Sequence, residues 1–295
     1  MKLDNVNWQH LWEEHHSIRA IARITNKDRV TVRKKLVTLG LYCEKSSLNP
    51  KWRQLTDMID SIAPKGEKPL YLIGDWIITS DYHTPAIHIG WYETMLEVAE
   101  KYNIKNIIIA GDLINFDLIS YYWKEKPDIR TSTIAEEVAV TKKILRDVET
   151  RFDRIVWLEG NHEKRFYDAM QRGVSVENLL SLLECLQTKY LPTSLSYCYL
   201  DDIRITHPKS YRQTKLSVAN VLASKYNCSV LQAHGHFFAL GYSQGGYIIG
   251  DTGGLMDIDR IAYMQEADST HPLWNNGFFV YKDKKIIPYG AGIGL

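Results

Sequence analysis

Residues Arg154 to Glu163 read RIVWLEGNHE, a short branched apolar run that stops at Gly160-Asn161-His162-Glu163. An Asn amide oxygen is a hard ligand for a cation and the imidazole beside it can carry a proton, so Asn161 and His162 pair a metal ligand with an acid. The same event recurs along the chain. Apolar runs also end at Asp81-x-His83, at Gly111-Asp112, at His207 and at His234-x-His236. In α/β sheets, ligands collect beyond the carboxyl ends of strands, so groups far apart in the text can converge there. Asp81, His83, Asp112, Asn161, His207, His234 and His236 together offer oxygen and imidazole without a thiolate. That set suits borderline divalent ions such as Mn, Fe, Zn, Ni or Co better than Ca, and Mn is the ion expected. Seven ligands are too many for one such ion; they suit two, with a carboxylate between them.

The elements that must position these groups alternate. Leu70–Ile73 and Trp76–Thr79, around Gly74-Asp75, predict a hairpin whose second strand delivers Asp81 and His83. A helix is expected over Ala86–Tyr102, a buried strand over Ile107–Ala110, and a helix over Ile134–Phe152 leading into Arg154. Val174–Lys189 reads as helical. Tyr197–Leu200 and Ile203–Thr206 predict a second hairpin closed by His207, and helix Thr214–Tyr226 precedes strand Val230–Ala233, which ends at His234. The Gly-rich remainder reads as further sheet and turns. This alternation predicts an α/β fold over residues 69–295. His10, His15, His16, His88 and His271 have no strand-end setting and are read as structural.

The chain has 295 residues, 45% hydrophobic and 24% charged, enough for one large domain and a small one. No apolar run approaches the roughly 18 residues of a membrane span, and the first residues hold no secretory core, so a cytoplasmic protein without membrane contact is expected. Four scattered cysteines with no C-x-x-C pair argue against a zinc ribbon. The net charge of +1 hides an asymmetry, because residues 1–45 carry +4 and the rest −3. Within 1–46, Ser17 can cap a helix carrying Ile18, Ile21 and Ile24. Asn26 suits a tight turn, and Asp28 can cap a second helix with Val32, Leu36 and Leu39. Residues 47–68 read as a linker, with a helical pattern through Trp52, Leu55, Met58 and Ile62 and then the breaker-rich PKGEKP.

The N-terminal pair of helices, with Trp8–His15 before it, resembles the helix-turn-helix DNA-binding domains. The resemblance implies that Arg29, Thr31, Arg33 and Lys34 face nucleic acid; a helical module for assembly is the alternative. Over residues 69–295, the order D-x-H, GD, GNHE, H, A-H-G-H resembles the calcineurin-like metallophosphoesterases, with a C-terminal part like those of phage and bacterial members. The resemblance implies a two-sheet β sandwich flanked by helices. It implies that Asp81, His83 and His236 hold one metal and Asn161, His207 and His234 the other, that Asp112 bridges them, and that His162 is the acid near the leaving group. Thr84 stands where the protein phosphatases have Gly, which points away from that subgroup.

Arg165, Lys209 and Arg212 follow ligand motifs closely enough to touch a substrate phosphate, and the insert NFDLISYYWKEKPD, with Phe116, Tyr121, Tyr122, Trp123, Lys124 and Lys126, offers rings on which bases can stack. Three functions follow. The favoured one is a metal-dependent phosphodiesterase or nuclease acting on nucleic acid or nucleotides and brought to DNA by its N-terminal domain. The others are a phosphomonoesterase for protein or small molecules, and a DNA-binding regulator with a structural metal site.

Overall fold

In the computed structural model, chain contacts divide the protein into Met1–Gly66 and Glu67–Leu295; residues 6–42, 55, 58, 67–120, 132–171, 173–261 and 273–291 are described. The expected linker residues Trp52 and Ile62, residues 64–66 of the PKGEKP stretch, the insert from Tyr121 to Lys126 and His271 lie outside the described residues.

In the first unit, α1 (Trp8–His15), α2 (Ile18–Thr25) and α3 (Arg29–Thr38) pack Trp8, Ile21, Ala22, Val32 and Leu36 into a core of their own. Ser17 caps α2 by accepting from Ala20 N, and Asp28 caps α3 by accepting from Val30 N and Thr31 N. Asn26 takes the left-handed conformation (φ 51°) between them, as the tight turn requires. Arg29, Arg33 and Lys34 are exposed on α3. Thr31 is half-buried, its hydroxyl committed to Asp28 Oδ2 (2.5 Å).

The second unit holds two sheets. β2 (Trp76–Thr79), β3 (Asn106–Ile109) and β4 (Arg154–Trp157) run parallel, and β10 (Gly277–Lys282) and β11 (Lys285–Gly290) complete the order β11-β10-β2-β3-β4. The other sheet is ordered β1 (Tyr71–Leu72), β5 (Tyr197–Leu200), β6 (Ile203–Thr206), β7 (Ser229–Gln232), β9 (Ile248–Asp251), β8 (Ala239–Tyr242). Branched runs such as Ile107-Ile108-Ile109 make central strands because both faces are covered. Ile77, Ile107 and Ile109 face α4 (Ile89–Lys101), α5 (Ile134–Arg151), α6 (Asn161–Ala169) and α7 (Val176–Leu182), while Trp76, Ile78 and Ile108 meet Ile205, Leu231 and Phe279 between the sheets. On the far side, Ala219 and Ala223 of α8 (Ser217–Tyr226) cover Val230 and Ile249. The layers are therefore helix, sheet, sheet, helix, the expected two-sheet fold.

Two expectations fail: the helix read over Val174–Lys189 ends at Leu182, where the chain turns through a left-handed Glu184 (φ 55°), and a strand pairing is not made. The first predicted hairpin does not form: β1 pairs parallel with β5, and β2 lies in the other sheet. β2 is buried on both faces and already has β3 on one edge and β10 on the other, which leaves no edge for β1. Gly74 (φ 91°) turns the chain between the sheets. The helix α6, starting on the GNHE motif itself, is an element the periodicity did not show.

Behind the loop that follows β3, the fully buried Glu137 accepts from Phe116 N (2.6 Å) and Ser132 Oγ (3.0 Å). Burial lifts its carboxyl from 4.5 to about 7. Folding therefore takes up a proton between those values, so this group's contribution is full below pH 4.5 and is lost as pH rises through about 7. The loss amounts to at most about 3 kcal/mol. Glu137→Gln, which keeps an acceptor for Phe116, should raise the melting temperature at pH 8 and change it little at pH 5; parallel pH curves for the two proteins would remove the assignment.

Candidate metal centre

All five ligand-bearing stretches emerge at the carboxyl ends of their strands, three from one sheet and two from the other. β2 runs into Asp81 and His83, β3 into Asp112, β4 into Asn161 and His162, β6 into His207, and β7 into His234 and His236. Five of the seven candidate ligands are left-handed: Asp81 (φ 52°), His83 (48°), Asp112 (52°), His234 (71°) and His236 (60°). Each such residue costs about 1–2 kcal/mol, so the surroundings must enforce it, and strain of this kind clusters at functional sites. The enforcement is visible. Asp81 N donates to Gly111 O (3.0 Å) and His83 N to Asp112 O (3.0 Å), tying the first two stretches together. His234 N donates to Asp81 Oδ2 (3.1 Å), which also accepts from Ser80 Oγ. At Gly160 any Cβ would collide with Asp112 Oδ1, and Gly160→Ala would displace that carboxylate.

The ligand atoms point at each other. His236 Nε2 lies 3.0 Å from Asp81 Oδ1 and 3.4 Å from His83 Nε2. His207 Nε2 lies 3.0 Å from Asn161 Oδ1 and 3.3 Å from Asp112 Oδ2. Asp81, His83 and His236 form one group with one atom each within 4.8 Å of the others, and Asp112, His207 and His234 form another. A third such group, His83, Asp112 and His162, lies between. Asp112 Oδ2 is buried with no hydrogen-bond partner, as is Nδ1 of His234. A buried carboxylate oxygen facing two imidazoles is costly unless a cation satisfies it, and a donor set of oxygen and imidazole with no thiolate fits divalent ions.

Electrostatics prepare the same chemistry. Burial alone would raise Asp112, but His162 and His207 hold its carboxyl well below the usual range; Asp81 is likewise lowered against burial by His236. Burial drives His83 and His234 down to about 4, so both rings are neutral at pH 7 and carry lone pairs. His207 is the exception. Burial opposes its protonation, but the charge of Asp112 lifts it to about 9, placing a proton where a cation would otherwise lie.

Residues outside the predicted set orient the site. A carbonyl only accepts, so His162 Nδ1 donates to Asn115 O (2.7 Å) and Nε2 is left to face Asp112 Oδ2 (3.7 Å). The side chain of Asn115 meets His83 Nδ1 (3.1 Å), which fixes that ring so that its Nε2 faces Asp81 and His236. Glu163 accepts from Asp112 N (3.0 Å), Leu113 N (2.8 Å) and Gly160 N (2.8 Å), stapling two ligand loops together. The signal for Glu163 was its place as the last residue of the Gly160-Asn161-His162-Glu163 motif; Asn115 had none. Partners that fix ligand rings typically contribute 10–100-fold in metal affinity. Asn115→Ala should therefore weaken Mn binding by about ten-fold or more, read by titration calorimetry on the metal-free protein, and unchanged affinity would dismiss that role.

Of the predicted phosphate contacts, Arg165 lies closest to the centre. Its Nη2 is 3.1 Å from His162 Nε2, and Nη1 donates to Asn115 O (2.9 Å) and Asp117 Oδ1 (3.1 Å). Lys209 and Arg212 are exposed just beyond His207. Phe116 is not a base-stacking ring; it is fully buried, stacked on Phe166 (5.3 Å).

Two facing sheets with carboxylate, amide and imidazole groups gathered at their strand ends define a metallohydrolase fold and site. The chain belongs to the calcineurin-like phosphoesterase family, whose profile matches residues 68–288. It is a metal-dependent phosphoric ester hydrolase. A search of curated proteins gave no significant match. Among solved structures, the chain is similar to a single mutant of Vps29 from Entamoeba histolytica, at 9% identity and TM-score 0.36 over 74% of this chain and 98% of that one. It is similar to a dimetal phosphatase from Danio rerio at 9% identity and TM-score 0.37 over 76% and 96%, and to the nuclease MPE of Pseudomonas putida at 12% and 0.31 over 72% and 87%. None of the three says what this chain acts on.

Proposed function

We propose that the protein is a phosphodiesterase acting on nucleic acid or nucleotides, with Asp81, His83 and His236 holding one divalent ion, Asn161, His207 and His234 a second, and Asp112 between them. Mn is the ion we assign, with Fe, Zn, Ni and Co as alternatives that a mixed oxygen and imidazole set also accepts. When bound, two such ions lower the pKa of a water, orient a phosphoryl oxygen and offset the charge that builds during in-line attack. The observation that carries the reading is the setting of His162. Its ring is locked through Nδ1 on Asn115 O, and its Nε2 stands 3.7 Å from the bridging candidate Asp112 with no strand-end ligand claiming it. A positioned acid matters most where the leaving group is an alkoxide, as in a nucleic-acid diester. Arg165, already within 3.1 Å of that Nε2, would steady the scissile phosphate as the alkoxide leaves.

The test compares bis(p-nitrophenyl) phosphate with p-nitrophenyl phosphate, with Mn added or chelated. Diester turnover that vanishes on chelation is expected. Preference for the monoester would make the protein a phosphomonoesterase, and no turnover of either would favour a regulator with a structural metal.

DNA is the partner we assign to the N-terminal unit, acting in the cytoplasm, because its capped α2 and α3, joined at Asn26, leave Arg29, Arg33 and Lys34 exposed on one helix. Three phosphate contacts correspond to a salt slope of about −3. Replacing all three by Ala in the full chain should lower DNA affinity and flatten that slope by about 3 while small-ester hydrolysis continues; an unchanged slope would end the recruitment idea.

A further inference from the structure

Residues 203–250 contain no Asp or Glu and five Lys or Arg. This stretch runs over the centre: it supplies His207, His234 and His236, and between the first two it exposes Lys209, Tyr211, Arg212 and Lys215. Lys209, Arg212 and Lys215 enter no ion pair among the described residues. Tyr211 is 41% exposed, too open for a core residue, yet its ring is fixed. It lies against the buried Phe237 (6.5 Å, 26° between planes) and meets the edge of His234 (6.0 Å, 81°). From the far end of the chain, Trp274 comes to the same place. Its ring stands against His236 (4.3 Å, 89°), and its Nε1 donates to Tyr211 Oη (3.5 Å). Two rings joined at their polar ends thus form a wall touching one candidate ligand of each metal, with cations on the same loop.

We infer that Tyr211 and Trp274 form a stacking subsite for an unpaired nucleobase next to the scissile phosphate. The substrate class is single-stranded nucleic acid or a strand end. This inference rests on the phosphodiesterase reading and deepens it. Charge alone would attract any phosphate ester, and cations suffice for that. Aromatic faces add a term that only a π-surface answers, and base stacking on such rings is tolerant of sequence. Within a duplex the base faces are covered by their neighbours, so the wall has nothing to stack against until a base is released. The cations then follow the backbone on either side, as in proteins that bind single strands.

The experiment uses the full-length protein and three substrates of equal length: an oligothymidylate, the same strand with an abasic residue beside the cleaved bond, and the duplex. Cleavage is measured with Mn, and binding by anisotropy of a labelled strand with the metal chelated. The unaltered protein should prefer thymidylate over the abasic strand by about ten-fold or more, and single strand over duplex. Tyr211→Ala and Trp274→Leu should collapse that ratio in both cleavage and binding, while Tyr211→Phe, which keeps the ring, preserves it; melting temperatures confirm that each variant is folded. A ratio near one in the unaltered protein, a ratio untouched by the variants, or preference for duplex overturns the subsite alone. Failure of the unaltered protein to bind or cut any strand, with monoesters still hydrolysed, overturns the diesterase reading and the subsite with it.

Discussion

Asp112→Asn should yield a folded protein that has lost its metal and about a thousand-fold of its activity, since a metal centre supplies several kcal/mol of charge stabilisation at 1.36 kcal/mol per decade. The substitution is nearly isosteric. Oδ1 would go on accepting from His162 N (2.9 Å), so the loop keeps its anchor. The oxygen that becomes an amide NH2 is Oδ2, which lies 3.3 Å from His207 Nε2 and has no hydrogen-bond partner. The carboxylate is also what lifts His207 to about 9, so that value should fall in the variant, and a His207 imidazole resonance followed by NMR in the metal-free protein reports it separately from turnover. Two equivalents of metal measured by elemental analysis in the variant, with activity intact, would show that Asp112 bridges nothing.

The ligand stretches were legible because metal chemistry restricts residue types and strand ends fix their places. Asp-x-His, Gly-Asp, Gly-Asn-His and His-x-His each follow an apolar run, and a run's period and length are local properties. What was not legible depends on distance. The Leu70–Thr79 segment carries the local marks of a hairpin, yet β2 is enclosed by β3 and β10, the latter about two hundred residues further on (compare the Lys282–Asp75 ion pair, separated by 207 positions). Pairing of that kind leaves no trace near Gly74. Asn115 looks like any loop Asn until His83 Nδ1 and His162 Nδ1 are both seen resting on it. Tyr211 and Trp274 are 63 positions apart, and neither belongs to a motif. The strain at Asp81, His83, Asp112, His234 and His236 was also invisible, since none is a residue that prefers positive φ strongly enough to announce it. Motifs thus name the groups that gather at the strand ends, whereas the groups that hold those side chains in place come from wherever the fold brings them.

That division bears on His162, whose identity was readable and whose setting was not. His162→Ala should keep both metal equivalents and lose 10²-fold to 10⁴-fold in rate on a dinucleotide, the range typical of a positioned general acid. On bis(p-nitrophenyl) phosphate the loss should be much smaller, because p-nitrophenolate departs without a proton. Burial, with Arg165 and His83 adding to it against the pull of Asp112, holds the His162 pKa well below its ordinary value, so at neutral pH the ring is mostly deprotonated. An acid must carry its proton to act, so the sign is fixed: the rate on an alkoxide leaving group falls as pH rises above the pKa that His162 has with substrate bound, by ten-fold per unit, while the p-nitrophenyl rate stays flatter. An arriving phosphate anion raises that pKa by favouring the imidazolium, and Arg165, 3.1 Å from Nε2, is free to turn its Nη2 toward the phosphate as the proton takes its place. In His162→Ala the two leaving groups should show the same pH dependence. If the variant loses equal rate on both, or keeps the alkoxide slope, the proton comes from elsewhere and His162 serves the centre through Asp112 alone.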